Sequence, residues 1–91
     1  MAKLLHKVRV KNILGLHARA AAQIVKLLRE SRSKVSLTYR NETVDGRSIL
    51  GILMLAAGRG AKITMAIEGE DAEETCAKLT EAFENRFGES R

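Results

Sequence analysis

Apolar residues recur along this chain with two different periods, and the order in which those periods alternate limits its fold more than any other feature. In residues 3–12, Leu4, His6, Val8 and Val10 point one way and Lys7, Arg9 and Lys11 the other. That is the period of a half-buried strand. Val35, Leu37 and Tyr39 repeat it against Ser36 and Thr38, and Ile63, Met65 and Ile67 repeat it against Lys62 and Thr64. Elsewhere the spacing widens to three and four. Ile24, Val25 and Leu28 mark one helix, from about His17 to Glu30, and Ala72, Cys76, Leu79 and Phe83 mark another. Each strand has one apolar face and each long helix one apolar stripe, so each must cover the other.

The turns complete the order. Arg40-Asn41 reads as a tight turn, with Asn41 taking the left-handed geometry. Glu42 to Val44 is then a short return strand, broken by Asp45-Gly46. Ser48 caps a short apolar helix that Gly58 and Gly60 end with a loop, and Asp71 with Glu74 resembles a capping pair. The succession is strand, helix, strand, strand, helix, strand, helix. It implies an α+β fold in one domain, residues 1–91, with a largely antiparallel four-stranded sheet and its three helices on one face. The other face is expected to be wet and rich in Lys, Arg, Ser and Thr. His6 falls on the inward side near a strand end, where it reaches water.

Several function classes find little support. The formal charge of +5 suits an anionic partner, but aromatic residues are 3% of the chain and offer few stacking platforms. No nucleic-acid-binding motif is visible, and the Lys and Arg residues are dispersed. Zinc-type spacings are absent, so neither a metal nor a cofactor is implied. The longest apolar run, Ile49 to Gly58, falls well short of the roughly 20 residues of a membrane span. The N-terminal residues alternate charge and hydrophobe without the apolar core of a signal peptide. Cys76 is the single cysteine, which excludes an internal disulfide and suits a reducing cytoplasm; its place on an apolar stripe reads as core.

Chemistry concentrates at Gly15-Leu16-His17-Ala18-Arg19-Ala20-Ala21-Ala22. This segment opens a helix with no Ser, Thr, Asp or Asn cap, and puts Arg19 at the positive end of the helix dipole. A bound anion would resolve both anomalies, because helix N-termini bind phosphate. Imidazole can form a covalent intermediate, attacking as the neutral ring. His17 is therefore either a phosphoryl carrier or an ordinary cap or solvated histidine.

A second feature begins at Ser48. Ile49, Leu50, Ile52, Leu53, Met54 and Leu55 make a short helix apolar on nearly every side. Such a helix is buried all round or presents an exposed patch. Ile52 and Leu55 are core candidates; Ile49, Leu50 and Leu53 are candidates for a partner-docking surface. Ser48 is either a plain cap or a phosphorylation site, where a phosphate would add charge beside that surface.

Both segments resemble the HPr family, the phosphocarriers of the bacterial phosphoenolpyruvate-dependent phosphotransferase system. Gly15-Leu16-His17-Ala18-Arg19 is similar to the family's active-site signature, and Arg47-Ser48-Ile49-Leu50-Gly51-Ile52-Leu53 to its regulatory serine motif. The resemblance covers essentially the whole domain and implies the open-faced β-sandwich, in the order βαββαβα. It implies a carrier rather than an enzyme, acting in the cytoplasm as a monomer, without cofactor, nucleic acid or membrane insertion. His17 would accept a phosphoryl group from enzyme I through Nδ1 and pass it to an acceptor protein of the enzyme IIA type. Arg19 would neutralise the phosphoryl oxygens, and the backbone N–H groups of Ala18 and Arg19 would hydrogen-bond them. Ser48 would be the substrate of an HPr kinase/phosphorylase.

Two positions depart from the family pattern. Ala20 stands where a proline is usual three residues after the histidine, and Leu14 where many members have a polar residue. Alanine keeps the helix but adds an N–H. The run Met54-Leu55-Ala56-Ala57 resembles the regulatory, nitrogen-type branch of these carriers. The departures keep a second reading open, a regulator acting mainly through Ser48 with poor transfer at His17. A small basic nucleic-acid binder is the remote third.

Overall fold

A computed structural model of the chain describes residues 3–89. Strand β1 (Lys3–Arg9) leads to helix α1 (Ala18–Leu28). The hairpin β2 (Lys34–Tyr39) and β3 (Glu42–Asp45) follows, then the short helix α2 (Ile49–Met54). Strand β4 (Lys62–Glu68), helix α3 (Ala72–Glu84) and a short turn at Arg86–Gly88 complete the order. The sheet runs β1-β4-β2-β3, every neighbouring pair antiparallel. The α+β class and the βαββαβα order are those expected from the periodicity.

Register follows the alternation. His6 lies opposite Met65, Met65 opposite Leu37, and Leu37 opposite Val44, so one set of side chains faces the helices throughout. Ile24 and Leu28 of α1, Leu79 and Phe83 of α3, and Leu37, Ile63, Met65 and Ile67 of the sheet are fully buried. Each such side chain contributes roughly 1.5–3 kcal/mol relative to exposure. The ion pairs Lys11–Glu84, Arg32–Glu70 and Lys78–Glu74 are all exposed, where a pair is worth about 0–1 kcal/mol. The core decides the fold.

Several local expectations are corrected. In the β2–β3 turn it is Arg40 that takes positive φ, 58°, rather than Asn41; its guanidinium lies 5.0 Å from the centre of the Tyr39 ring. Helix α2 ends through Ala56, at φ 53°, before Gly58 and Gly60 are reached. Asp71 precedes α3 but makes no side-chain cap bond. Its carboxylate turns to the α1–β2 connection instead, accepting from Ser33 Oγ at 2.5 Å and the Arg32 N–H at 3.0 Å. These bonds, the Ser33 hydroxyl foremost, hold the Asp71 carboxyl below its ordinary value of 3.8. Cys76 is half-buried rather than core. The polar residue buried in α3 is Thr75, whose hydroxyl lies 2.7 Å from Ser31 Oγ. His6 is exposed, as expected.

Candidate functional site

The segment before α1 is fixed by backbone contacts that crowd out any side chain. Asn12, fully buried, donates from Nδ2 to the Gly15 carbonyl at 2.6 Å, and Gly15 N–H returns to the Asn12 carbonyl at 3.2 Å. Gly15 has φ 69°, and a Cβ there would stand 2.5 Å from the Ala57 carbonyl oxygen. Only glycine meets both conditions. Leu16 N–H then donates to that same Ala57 carbonyl at 2.9 Å. The segment entering α1 is thereby pinned to the segment leaving α2.

His17 caps α1 itself. Its backbone is extended (φ −81°, ψ −175°), its carbonyl accepts the Ala21 N–H at 2.9 Å, and its imidazole Nδ1 accepts the Arg19 N–H at 3.1 Å. The helix begins at Ala18 rather than His17, and the expected lack of a cap is corrected: the imidazole takes the role of a Ser or Asp oxygen. Of the two backbone donors anticipated for an anion, the Arg19 N–H is therefore already engaged. The N–H groups of Ala18 and Ala20 make no hydrogen bond among the described residues. No acidic residue occupies the first turn. Arg19 is exposed, so the helix start is electropositive and open to water.

A third contributor, Glu89, was missed in reading the sequence. Beyond α3 the chain makes a left-handed turn, with φ of 55° at Arg86, 52° at Phe87 and 76° at Gly88. A non-glycine residue in this region costs roughly 1–2 kcal/mol. Burial of Phe87, 4.9 Å from Phe83 in an edge-on pair, offsets it, and Gln23 Nε2 donates to the Phe87 carbonyl at 2.8 Å. The turn carries the Glu89 carboxylate to the loop before His17, where it accepts from the Ile13 N–H at 2.5 Å and the Leu14 N–H at 3.2 Å. Burial pushes the Glu89 carboxyl up, but these N–H groups, that of Ile13 foremost, outweigh it and leave it below its ordinary value. Phe87 and Gly88, an aromatic residue before a glycine just past the last helix, were the signal available in the sequence.

Ser48 caps α2 as expected, its Oγ accepting the Gly51 N–H at 2.9 Å. Ile52 and Leu55 are buried, whereas Ile49, Leu50 and Leu53 are 42%, 68% and 37% exposed. Met54 is exposed on the same helix, and Ile13 and Leu14 are exposed beside His17. Helix α1 packs on α2. The two segments therefore share one side of the molecule without any hydrogen bond between His17 and Ser48. Arg47 braces this arrangement. Its guanidinium donates to the carbonyls of Leu28, Ser31 and Ser33, each at 2.9 Å, which satisfies the C-terminal end of α1. Among the described residues no group of three or more His, Cys, Asp or Glu side chains could hold a metal ion, and no helix is long and apolar enough to cross a membrane.

Comparison with known proteins places this arrangement. Residues 5–85 match the family described as "PTS HPr component phosphorylation site". Phosphocarrier protein HPr of Xylella fastidiosa (strain Temecula1) is 42% identical over 84 residues, covering 92% of this chain and 94% of its own. A crystal structure of HPr from Thermoanaerobacter tengcongensis superposes with a TM-score of 0.89 at 33% identity over 100% of both chains. One from Bacillus anthracis gives 0.86 at 35% identity, covering 91% of this chain and 99% of its own.

Proposed function

Since this chain belongs to the HPr family of phosphocarrier proteins, we propose that His17 is the residue that carries the phosphoryl group. The observation that carries this reading is the position of Nδ1, which caps α1 at an electropositive helix start with no acidic residue in its first turn. In the first step the Nδ1 lone pair forms a bond to phosphorus. The bond between phosphorus and the donor breaks, and its electron pair stays with the donor. Nδ1 then has no lone pair for Arg19, so the Arg19 N–H turns to a phosphoryl oxygen, joining the free N–H of Ala18. The Arg19 guanidinium supplies the remaining positive charge. These donors pre-exist in the folded helix and need little reorganisation. Transfer to an acceptor reverses the step.

The donor is enzyme I and the acceptors are of the enzyme IIA type, the partners that the family implies, in the cytoplasm. They dock on the exposed apolar side chains Ile49, Leu50 and Leu53. Ser48 is a regulatory phosphorylation site at the edge of that surface. A phosphate there replaces one helix cap by another but puts charge beside apolar contacts. A regulatory output through Ser48 alone remains the second reading, motivated by Ala20 and Leu14.

The test is incubation of the purified chain with enzyme I, phosphoenolpyruvate and magnesium, read by intact-mass spectrometry at alkaline pH. One added phosphate, absent from the His17→Ala variant, is expected. No phosphate, with an enzyme I shown to be active on another carrier, would overturn the carrier role of His17 and leave the Ser48 reading.

A further inference from the structure

The register of the sheet gathers the chain's dispersed cations onto the face away from the helices. Directly opposed residues form four rows across that face. Lys3, Glu68 and Lys34 make the first row; Leu5, Ala66, Ser36 and Asp45 the second. Lys7, Thr64, Thr38 and Thr43 make the third, and Arg9 with Lys62 the fourth. Five cations thus stand against the carboxylates Glu68 and Asp45 alone. All five are exposed, and none takes part in an ion pair among the described residues.

Three features set this apart from a merely solvated surface. Arg9 faces Lys62 directly, and like charges directly opposite each other destabilise a strand pair. Charges on the edge strand β1 discourage pairing with other chains, but Lys34 and Lys62 lie on the interior strands β2 and β4, where that protection has no use. The middle of the face, on β4 and β2, is uncharged and small-chained (Ala66, Thr64, Ser36 and Thr38), and Leu5, 71% exposed, stands beside Ala66 on the edge strand. An exposed apolar side chain flanked along its strand by Lys3 and Lys7 gives a protein partner an apolar contact within a charged surround.

We infer that the open face of the sheet is a second docking surface, complementary to a carboxylate-rich protein surface. Charge complementarity selects an acidic partner, and the exposed Leu5 favours a protein. Nucleic acid is the weaker candidate, because the face carries no aromatic side chain on which a base could stack. The face measures roughly 15 by 20 Å from strand spacing and rise, so the contact is small, transient and sensitive to salt. It lies opposite α1 and α2 and can be occupied while the His17 side is engaged. The inference is independent of the role proposed for His17.

The test is titration of the isotopically labelled full chain with a short polyglutamate peptide at low salt, followed by NMR. An oligothymidylate of matched charge serves as comparator. Shifts confined to the rows of Lys3, Lys7, Arg9, Lys34 and Lys62 are expected. The triple variant Lys7→Glu, Arg9→Glu, Lys62→Glu should weaken binding at least about tenfold and still take phosphate from enzyme I. The variant Lys26→Glu, Arg29→Glu, Lys78→Glu changes the net charge equally and should weaken it far less. Should the first variant fail to fold, the Gln versions at Lys7, Arg9 and Lys62 replace it. Equal weakening by both triple variants, shifts centred on α1 or α2, or absence of binding at low salt would overturn the inference. Tighter binding of the oligonucleotide than of the peptide would overturn the choice of a protein partner.

Discussion

His17 Nδ1 lies 3.1 Å from the Arg19 backbone nitrogen, so one atom serves as the cap of α1 and as the candidate nucleophile. The two roles separate by substitution. His17→Ala loses both, and its stability in chemical denaturation is expected to fall by about 1 kcal/mol, the usual worth of a cap. His17→Asn restores a capping oxygen, so stability returns while phosphorylation stays absent. A His17→Asn protein as unstable as His17→Ala would show that the bond to Arg19 contributes nothing to the helix.

Arg19 is exposed, and its side chain makes no hydrogen bond among the described residues. Arg19→Ala is expected to slow phosphoryl transfer while leaving the thermal midpoint within about 4 °C, as for a surface change worth less than about 0.5 kcal/mol. Steady-state transfer rates and a melting curve check this together; a large drop in the midpoint would assign Arg19 a structural role.

Arg47 holds three carbonyls at the end of α1. Arg47→Met keeps much of the side-chain length and removes the donors. A loss of about 1–2 kcal/mol is expected, the charged donor being partly replaced by water. Hydrogen exchange should quicken near Ser31 and Ser33 first. Uniform quickening across the sheet would contradict a local brace.

Asp71 gives a pH signature. Its folded carboxyl titrates below its ordinary value, so the bonds to Ser33 and Arg32 add stability above about pH 4, and protonation removes it as pH falls through the lowered value. Asp71→Asn keeps one acceptor oxygen and loses the charge. The variant is therefore expected to melt lower than the parent at pH 7, with the gap closing as the solution is acidified below pH 4. A gap that stays constant across this range would show that the carboxylate charge is irrelevant.

Glu89 ties the C-terminal turn to the loop before His17. In Glu89→Ala the amides of Ile13 and Leu14 are expected to exchange about tenfold faster, the equivalent of one hydrogen bond near 1.4 kcal/mol. Amides of the sheet should be unaffected. Unchanged exchange at Ile13 and Leu14 would mean that the carboxylate is not held there in solution.

Most of the fold was legible in the sequence, because alternation and helical spacing are consequences of which side chains leave water. The places of His17 and Ser48 at the starts of α1 and α2 were legible from where the apolar spacing begins, and the split of α2 into buried Ile52 and Leu55 and exposed Ile49, Leu50 and Leu53 from the crowding of apolar residues on a short helix. The misreadings share a cause. Asn41, Asp71 and the glycines after α2 are residues whose propensities suit a turn or a cap, and their surroundings overrode propensity: at the hairpin the left-handed residue is Arg40, stacked on the neighbouring Tyr39 ring. Asp71 was drawn to the Ser33 hydroxyl across the domain, and Ala56 accepted a left-handed conformation with buried residues on both sides of it.

The sequence by itself determined which residues are apolar, with what period, and hence a layer of helices over an antiparallel sheet. It also determined that a histidine and an arginine stand at a helix start. Only the tertiary structure decided that Ala57 backs Gly15, that Glu89 reaches Ile13 and Leu14, that Arg47 closes α1, and that scattered lysines meet on one face. Period is a property of neighbours along the chain, set by local geometry and burial. These contacts join residues far apart in sequence, and their partners are fixed only once the strands have taken their register.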